Sequence, residues 1–150
     1  MTVTREIRVS DDYAVTQVEG GTGNMKEPCP QCPWRMDLPT GVFPPEAFRV
    51  SAATAYDAAF EQFACHMSGI EHPKTCAGFL LRNSVHNIGA RLARSRETFA
   101  PVSDGGLPLY PSYRAMAVAN GVDPADPVLE PCRADNQVSR PASSPRRSRP

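Results

Sequence analysis

Prolines set the first limit on this chain. Pro28, Pro30, Pro33, Pro39, Pro44 and Pro45 crowd one short stretch, and Gly41 adds another break. Each proline removes a backbone donor and disfavours a helical residue before it, so no long helix can cross residues 27–45. That stretch must be built from turns. The whole chain of 150 residues holds 16 Pro and 10 Gly, with hydrophobic residues at 41%. A chain so punctuated buries little apolar surface per residue, and small domains of this kind commonly lean on a staple.

Five cysteines offer one. Cys29 and Cys32 form a CxxC pair inside the proline-rich stretch; Cys65 and Cys76 follow, with ten residues between them. A CxxC turn brings two sulfurs to the same side, and tetrahedral zinc takes four such ligands with long loops between them. Pro28, Pro30 and Pro33 stiffen the turn, which lowers the entropy lost on metal capture. The expected ligand set is therefore Cys29, Cys32, Cys65 and Cys76, with His66 and His72 as alternative ligands in a Cys3His site. All-sulfur ligation suits an iron–sulfur cluster as well as zinc, and the Cys-Pro steps at Cys29 and Cys32 occur at some cluster ligands. Zinc is the preferred reading, because structural zinc sites commonly hold together bodies with few regular elements. The blander reading is that Cys65 and Cys76 are ordinary small buried residues. For His66 the bland reading, packing or support beside Cys65, is favoured, since neighbours in sequence rarely share one ion. His86 reads as a surface or boundary residue, and Cys132 as part of the tail.

The expected fold is small, irregular α+β, stabilised by metal, with few short strands. Residues 1–24 read as flexible apart from a possible strand at Glu6–Val9. Pro44 and Pro45 suit the first turn of a helix over about 45–55. Ala58–His66 is open between helix and strand. Leu81, Val85, Ile88 and Leu92 recur at helical spacing, with Arg82, Asn83, Arg91 and Arg94 opposite them. This periodicity predicts the main helix over about 76–95, with Thr75 as N-cap and Cys76 in the first turn, where the helix dipole favours a thiolate. A further short helix is expected over about 112–120, closing at Gly121. The metal-binding domain would span 25–123. Residues 124–150, rich in Pro, Ser and Arg, read as a disordered basic tail.

Charge narrows the partners. The net formal charge is zero, yet residues 131–150 hold Arg133, Arg140, Arg146, Arg147 and Arg149 against Asp135 alone, which leaves a mildly acidic body. Nucleic-acid binding through that tail, with help from Arg82, Arg91, Arg94 and Arg96, is the weaker alternative to a protein partner. No apolar run is long enough to span a membrane, and the N-terminus has no secretory pattern. The expectation is a cytoplasmic protein, where clustered cysteines more often bind metal than form disulfides.

Three strings, Glu27-Pro-Cys-Pro-Gln-Cys-Pro-Trp-Arg35, Phe63-Ala-Cys-His-Met-Ser68 and Cys76-Ala-Gly-Phe-Leu80, stand in that order. They resemble an uncharacterised family of small proteins from actinobacteria and their phages, marked by CPxCPWR, ACHxS and CAGxL strings. The resemblance implies that Cys29, Cys32, Cys65, His66 and Cys76 belong to the family pattern; it implies no activity. A phage-encoded member would work in the cytoplasm of its bacterial host. Trp34 is expected to pack over the metal turn, and Arg35 to donate to a thiolate or to Asp37. A structural or interaction module is the leading functional reading. An iron–sulfur redox or oxygen sensor is the alternative. Catalysis has no visible motif: four cysteines would close a zinc site that catalysis needs open.

Overall fold

The computed structural model describes residues 3–10, 13–19, 23–65, 67–68, 72–96 and 99–135. The chain opens with a hairpin of β1 (Val3–Ser10) and β2 (Tyr13–Glu19), antiparallel, with a register shift between Arg8 and Ser10. In the second strand Val15 and Gln17 are buried on one face and Val18 on the other, so both faces of β2 are covered there. Its far edge pairs antiparallel with β3 (Gln62–Phe63), which completes a three-stranded sheet in the order β1-β2-β3. The 1–24 segment thus holds two strands where one short strand was expected. The ambiguous 58–66 stretch supplies the third.

Between the hairpin and β3 lie the proline-rich turns and then α1 (Pro45–Ser51), which runs on into a 3-10 turn over Ala52–Ala55. Pro45 sits in its first turn as expected. Phe48 and Ala52 face the core, and Phe48 accepts a 2.7 Å hydrogen bond at its carbonyl from the buried Tyr113 hydroxyl.

The expected main helix over 76–95 is not one helix. It is α2 (Ala77–Arg82) and α3 (Ile88–Ser95), separated by a turn at 83–87. The interruption is written in Asn83, Ser84 and Asn87, whose short polar side chains compete with the helical ladder. The Ser84 hydroxyl donates back to the Leu80 carbonyl at 2.6 Å, and Asn87 N-caps α3 by accepting from the Ala90 N–H at 2.9 Å. Thr75 is not the cap of α2; Cys76 occupies that position with extended backbone angles. The apolar stripe also misleads. Val85 is 39% and Leu92 40% exposed, while the buried side is made by Ala77, Phe79, Leu80, Ala90 and Ala93.

The last helix, α4 (Tyr113–Ala119), is capped by Ser112, whose hydroxyl accepts from the Ala115 N–H at 3.0 Å. Gly121, at φ 104°, ends it in a conformation that glycine alone adopts freely. The folded body does not stop at 123. A 3-10 turn at Pro127–Leu129 follows, Leu129 is fully buried, and Cys132 is buried and bridges Tyr56. Residues 136–150 lie outside the described residues.

One core joins these elements. Trp34, Phe63 and Tyr113 meet edge to face, with ring centroids 5.9–6.3 Å apart, a geometry worth about 0.5–1.5 kcal/mol per pair beyond buried area. Phe79, Met116 and Leu129 pack around them, and Cys29, Cys32, Cys65 and Cys76 belong to the same cluster.

Candidate functional site

The CPQC segment folds as two successive turns. The Cys32 N–H donates to the Cys29 carbonyl at 3.0 Å, and the Arg35 N–H to the Cys32 carbonyl at 3.1 Å. Arg35 then locks the turn from outside. Its guanidinium forks onto Asp37 (Nε to Oδ1, 2.9 Å, and N–H to Oδ2, 2.8 Å) and donates to the Cys29 carbonyl at 3.3 Å. The expected pairing of Arg35 with Asp37 is what the structure contains. That pairing raises the Arg35 pKa and lowers that of Asp37, each mainly through the shared hydrogen bonds.

Cys65 and Cys76 sit on two arms joined by backbone. The Cys76 N–H donates to the Phe63 carbonyl (2.9 Å), the Cys65 N–H to the Lys74 carbonyl (2.8 Å), and Ala64 bridges Thr75. Thr75 ties in the approach to the first pair as well: its N–H donates to the Gly23 carbonyl (3.0 Å), and its carbonyl accepts from the Met25 N–H (2.9 Å). Its hydroxyl donates to the buried Gln62 amide oxygen at 2.8 Å. One threonine therefore holds the three chain segments that carry the four cysteines.

The four sulfurs converge. Cys32 Sγ lies 3.7 Å from Cys76 Sγ, although 44 residues separate them. Cys29 makes thiol contacts with both Cys32 and Cys65. The contacts link all four residues, and each is at most 6% exposed. Among the described residues, no group of three or more Cys, His, Asp or Glu side chains is arranged ready to hold a metal ion. A tetrahedral site needs all four sulfurs drawn in to a common centre.

Crowding of these thiols disfavours charge. Cys65 is held well above an ordinary thiol by its contact with Cys29 and then by burial. For Cys32, contact with Cys29 draws the pKa down, but Cys76 and burial together push it well above the usual range. Cys29 is raised chiefly by Cys32, partly offset by Cys65. Without a cation Cys29, Cys32 and Cys65 favour the neutral thiol; a bound cation reverses that preference.

Trp34 covers the turn from within, as expected, and is fully buried. It needs Gly78 to do so. A Cβ at 78 would stand 2.6 Å from Trp34 Cβ, so the glycine two residues after Cys76 is a packing requirement of the cluster. Sequence reasoning missed Gly78, Thr75 and Tyr113 as supports; the glycine directly downstream of Cys76 was the available signal.

The remaining candidates fall away from the sulfurs or outside the described residues. His72 is exposed, and His66 lies outside the described residues. The expected dipole effect on Cys76 has little basis, since α2 is six residues long and the Cys76 side chain makes no capping bond. Cys132 was placed in the tail; its sulfur lies in the core, 3.9 Å from the Ala52 carbonyl, with its pKa pushed up to about 11 by burial. His86, expected near the surface, is buried, with Nε2 3.1 Å from the Ala55 carbonyl. Of the tail arginines, Arg133 pairs with Asp57 at 2.8 Å, and Arg140, Arg146, Arg147 and Arg149 lie outside the described residues. No helix among the described residues is long and apolar enough to cross a membrane.

Fold and cysteine cluster together define a small α+β protein whose aromatic core is built around four converging buried thiols. The chain belongs to the DUF6283 family, a family of unknown function, whose model matches residues 24–133. All four cysteines fall inside that match, and the β1–β2 hairpin falls before it. No curated protein and no solved structure was found to match the chain.

Proposed function

We propose that Cys29, Cys32, Cys65 and Cys76 bind one zinc ion, and that the protein serves as a metal-stabilised structural or interaction module in the cytoplasm. The observation that carries this is the 3.7 Å separation of the Cys32 and Cys76 sulfurs across 44 residues. Two thiolates on one tetrahedral zinc, each about 2.3 Å from the ion, stand about 3.8 Å apart. In a cubane iron–sulfur cluster each thiolate binds its own iron, which spaces the sulfurs more widely. The contact therefore favours a single shared ion. Cys29 interacts with both Cys32 and Cys65, which brings the fourth sulfur into the same set. Four sulfur ligands leave no open position, which supports a structural rather than a catalytic ion.

Elemental analysis of the purified full-length protein, read with its visible spectrum, tests this. One zinc per chain and a colourless solution are expected. Zinc present at a thousandfold over its dissociation constant adds about 4 kcal/mol of stability. Its removal by chelator should therefore lower Tm by an amount on the order of 10 °C. Cys32→Ser should abolish stoichiometric zinc. A brown protein containing iron would replace zinc with a cluster and favour a redox or oxygen-sensing role; a metal-free protein with unaltered Tm would end the metal reading.

A further inference from the structure

The order of the sulfur contacts has a chemical consequence beyond metal binding. One pairing among the sulfur contacts uses all four sulfurs once and leaves none over. It joins Cys29 to Cys65 and Cys32 to Cys76, and ties the CPQC turn to the two arms that carry Cys65 and Cys76. The alternative within the CxxC turn, Cys29 with Cys32, would leave the turn joined to neither arm. We infer that the cluster is a site of reversible oxidation, in which two-electron oxidants of the peroxide class convert the four thiolates into Cys29–Cys65 and Cys32–Cys76 disulfides with release of the ion. This rests on the metal-site reading for the released ion, though not for the pairing.

The electrons balance as follows. The thiolate of Cys29, the residue with the greatest exposure of the four at 6%, attacks one peroxide oxygen. The O–O bond breaks, hydroxide leaves and takes a proton to become water, and Cys29 becomes a sulfenic acid. The Cys65 sulfur then displaces the sulfenic oxygen as a second water, which forms the S–S bond. Each disulfide consumes one peroxide and two protons, so two peroxides complete both. The second step joins the 3.7 Å pair, whose sulfurs need close by less than 2 Å to reach a disulfide bond length of about 2.0 Å.

Both cross-links attach the CPQC turn to arms it already touches. The backbone bonds that hold those arms, Cys65 to Lys74 and Cys76 to Phe63, do not involve sulfur. Oxidation thus exchanges an ion for two covalent ties and leaves the fold in place, in contrast to a metal site that unfolds when its thiols are lost.

The test titrates zinc-loaded full-length protein with hydrogen peroxide beside a chromogenic zinc chelator. Disulfides are mapped by mass spectrometry of unreduced digests, and the near-ultraviolet circular dichroism of Trp34 reports the fold. Release of the zinc over two equivalents of peroxide, the 29–65 and 32–76 linkages, a free Cys132 and a retained aromatic signal are expected; reductant with added zinc should restore the starting state. A dominant 29–32 linkage, over-oxidised cysteines, or a collapsed aromatic signal would overturn the inference. The same mapping on reduced, metal-free protein separates the two ideas. Protein that never held zinc yet forms 29–65 and 32–76 sinks the metal reading alone, and protein that holds zinc yet pairs otherwise sinks the oxidation site alone.

Discussion

His86 shows how a single side chain sets a pH dependence away from the cysteines. Its ring is buried, Nε2 faces the Ala55 carbonyl, and Nδ1 has no hydrogen-bond partner. Burial lowers its pKa below the ordinary 6.5; the Ala55 carbonyl and Asp57 pull it up, Arg133 pushes it down, and burial dominates. The unfolded chain therefore binds a proton at about pH 6.5, where the folded chain does not, so this group's contribution is intact above that pH and is lost as pH falls below it. Urea midpoints measured between pH 7.5 and 5.5 should fall with pH, and His86→Gln should show a shallower fall. Equal slopes in the two proteins would remove His86 from the account. The fall must be read as a difference between proteins, because any ion held by the thiols would also be lost in acid. Neither His86 nor Cys132 was legible as buried from sequence. Each sits in a polar neighbourhood of the chain, and each is carried inward by a partner distant in sequence: Ala55 for His86, Ala52 and Tyr56 for Cys132. The Cys29–Cys32 turn was legible, because CxxC spacing is local and needs no knowledge of the rest of the fold; Cys65 and Cys76 carried no such local signal.

At the level of elements, the break between α2 and α3 is the feature sequence periodicity failed to see. Period counting weighs apolar positions and ignores what Asn and Ser do to the ladder between them. The stripe of Leu81, Val85, Ile88 and Leu92 is real in sequence, but the turn at 83–87 rotates its two halves apart. Asn87 is the residue on which that turn depends. Its side-chain oxygen caps α3 at Ala90, and its amide donates to the Thr54 carbonyl (3.1 Å) and the Glu61 carbonyl (2.8 Å). Loss of a cap costs about 1 kcal/mol, and each buried carbonyl left without a donor about 1–3 more. Asn87→Ala should therefore destabilise the protein by roughly 3–7 kcal/mol in urea unfolding, with the denaturant slope unchanged. Asn87→Asp keeps the cap oxygen but sets a buried carboxylate oxygen against the Thr54 and Glu61 carbonyls, and should cost at least as much as the alanine. A loss under about 0.5 kcal/mol for Asn87→Ala would show that water replaces all three bonds. The helices that sequence did locate, α1 and α4, are those whose ends carry strong local signals: Pro45 at one start, Ser112 at the other, and Gly121 at a close.

For the whole molecule, the question is where the cooperative unit ends. Composition placed the boundary at 123, since Pro, Ser and Arg dominate beyond it; the folded body instead runs through residues 124–135. Leu129 is fully buried, and the Cys132 N–H donates to the Leu129 carbonyl at 3.0 Å. The Tyr56 hydroxyl donates to the Val128 carbonyl (2.7 Å), and Arg49 pairs with Asp126 (2.7 Å). The family match reaches 133 and so takes in most of this segment. Composition misjudged this because two apolar residues, Leu129 and Cys132, do the anchoring, and a window average over a proline-rich segment cannot register two residues. Removal of residues 136–150 should leave Tm and denaturant midpoint within error of the full chain. Removal of residues 124–150 should cost far more. Burying one Leu is worth about 2–5 kcal/mol when its space is left empty, and Cys132 and the Tyr56 bond are lost with it. Thermal melts of chains ending at 135 and at 123, each at equal zinc, compare the two directly. If both truncations melt with the full chain, the 124–135 segment is packing that the core does not need, and the cysteine cluster with its aromatic shell is the whole of the cooperative unit.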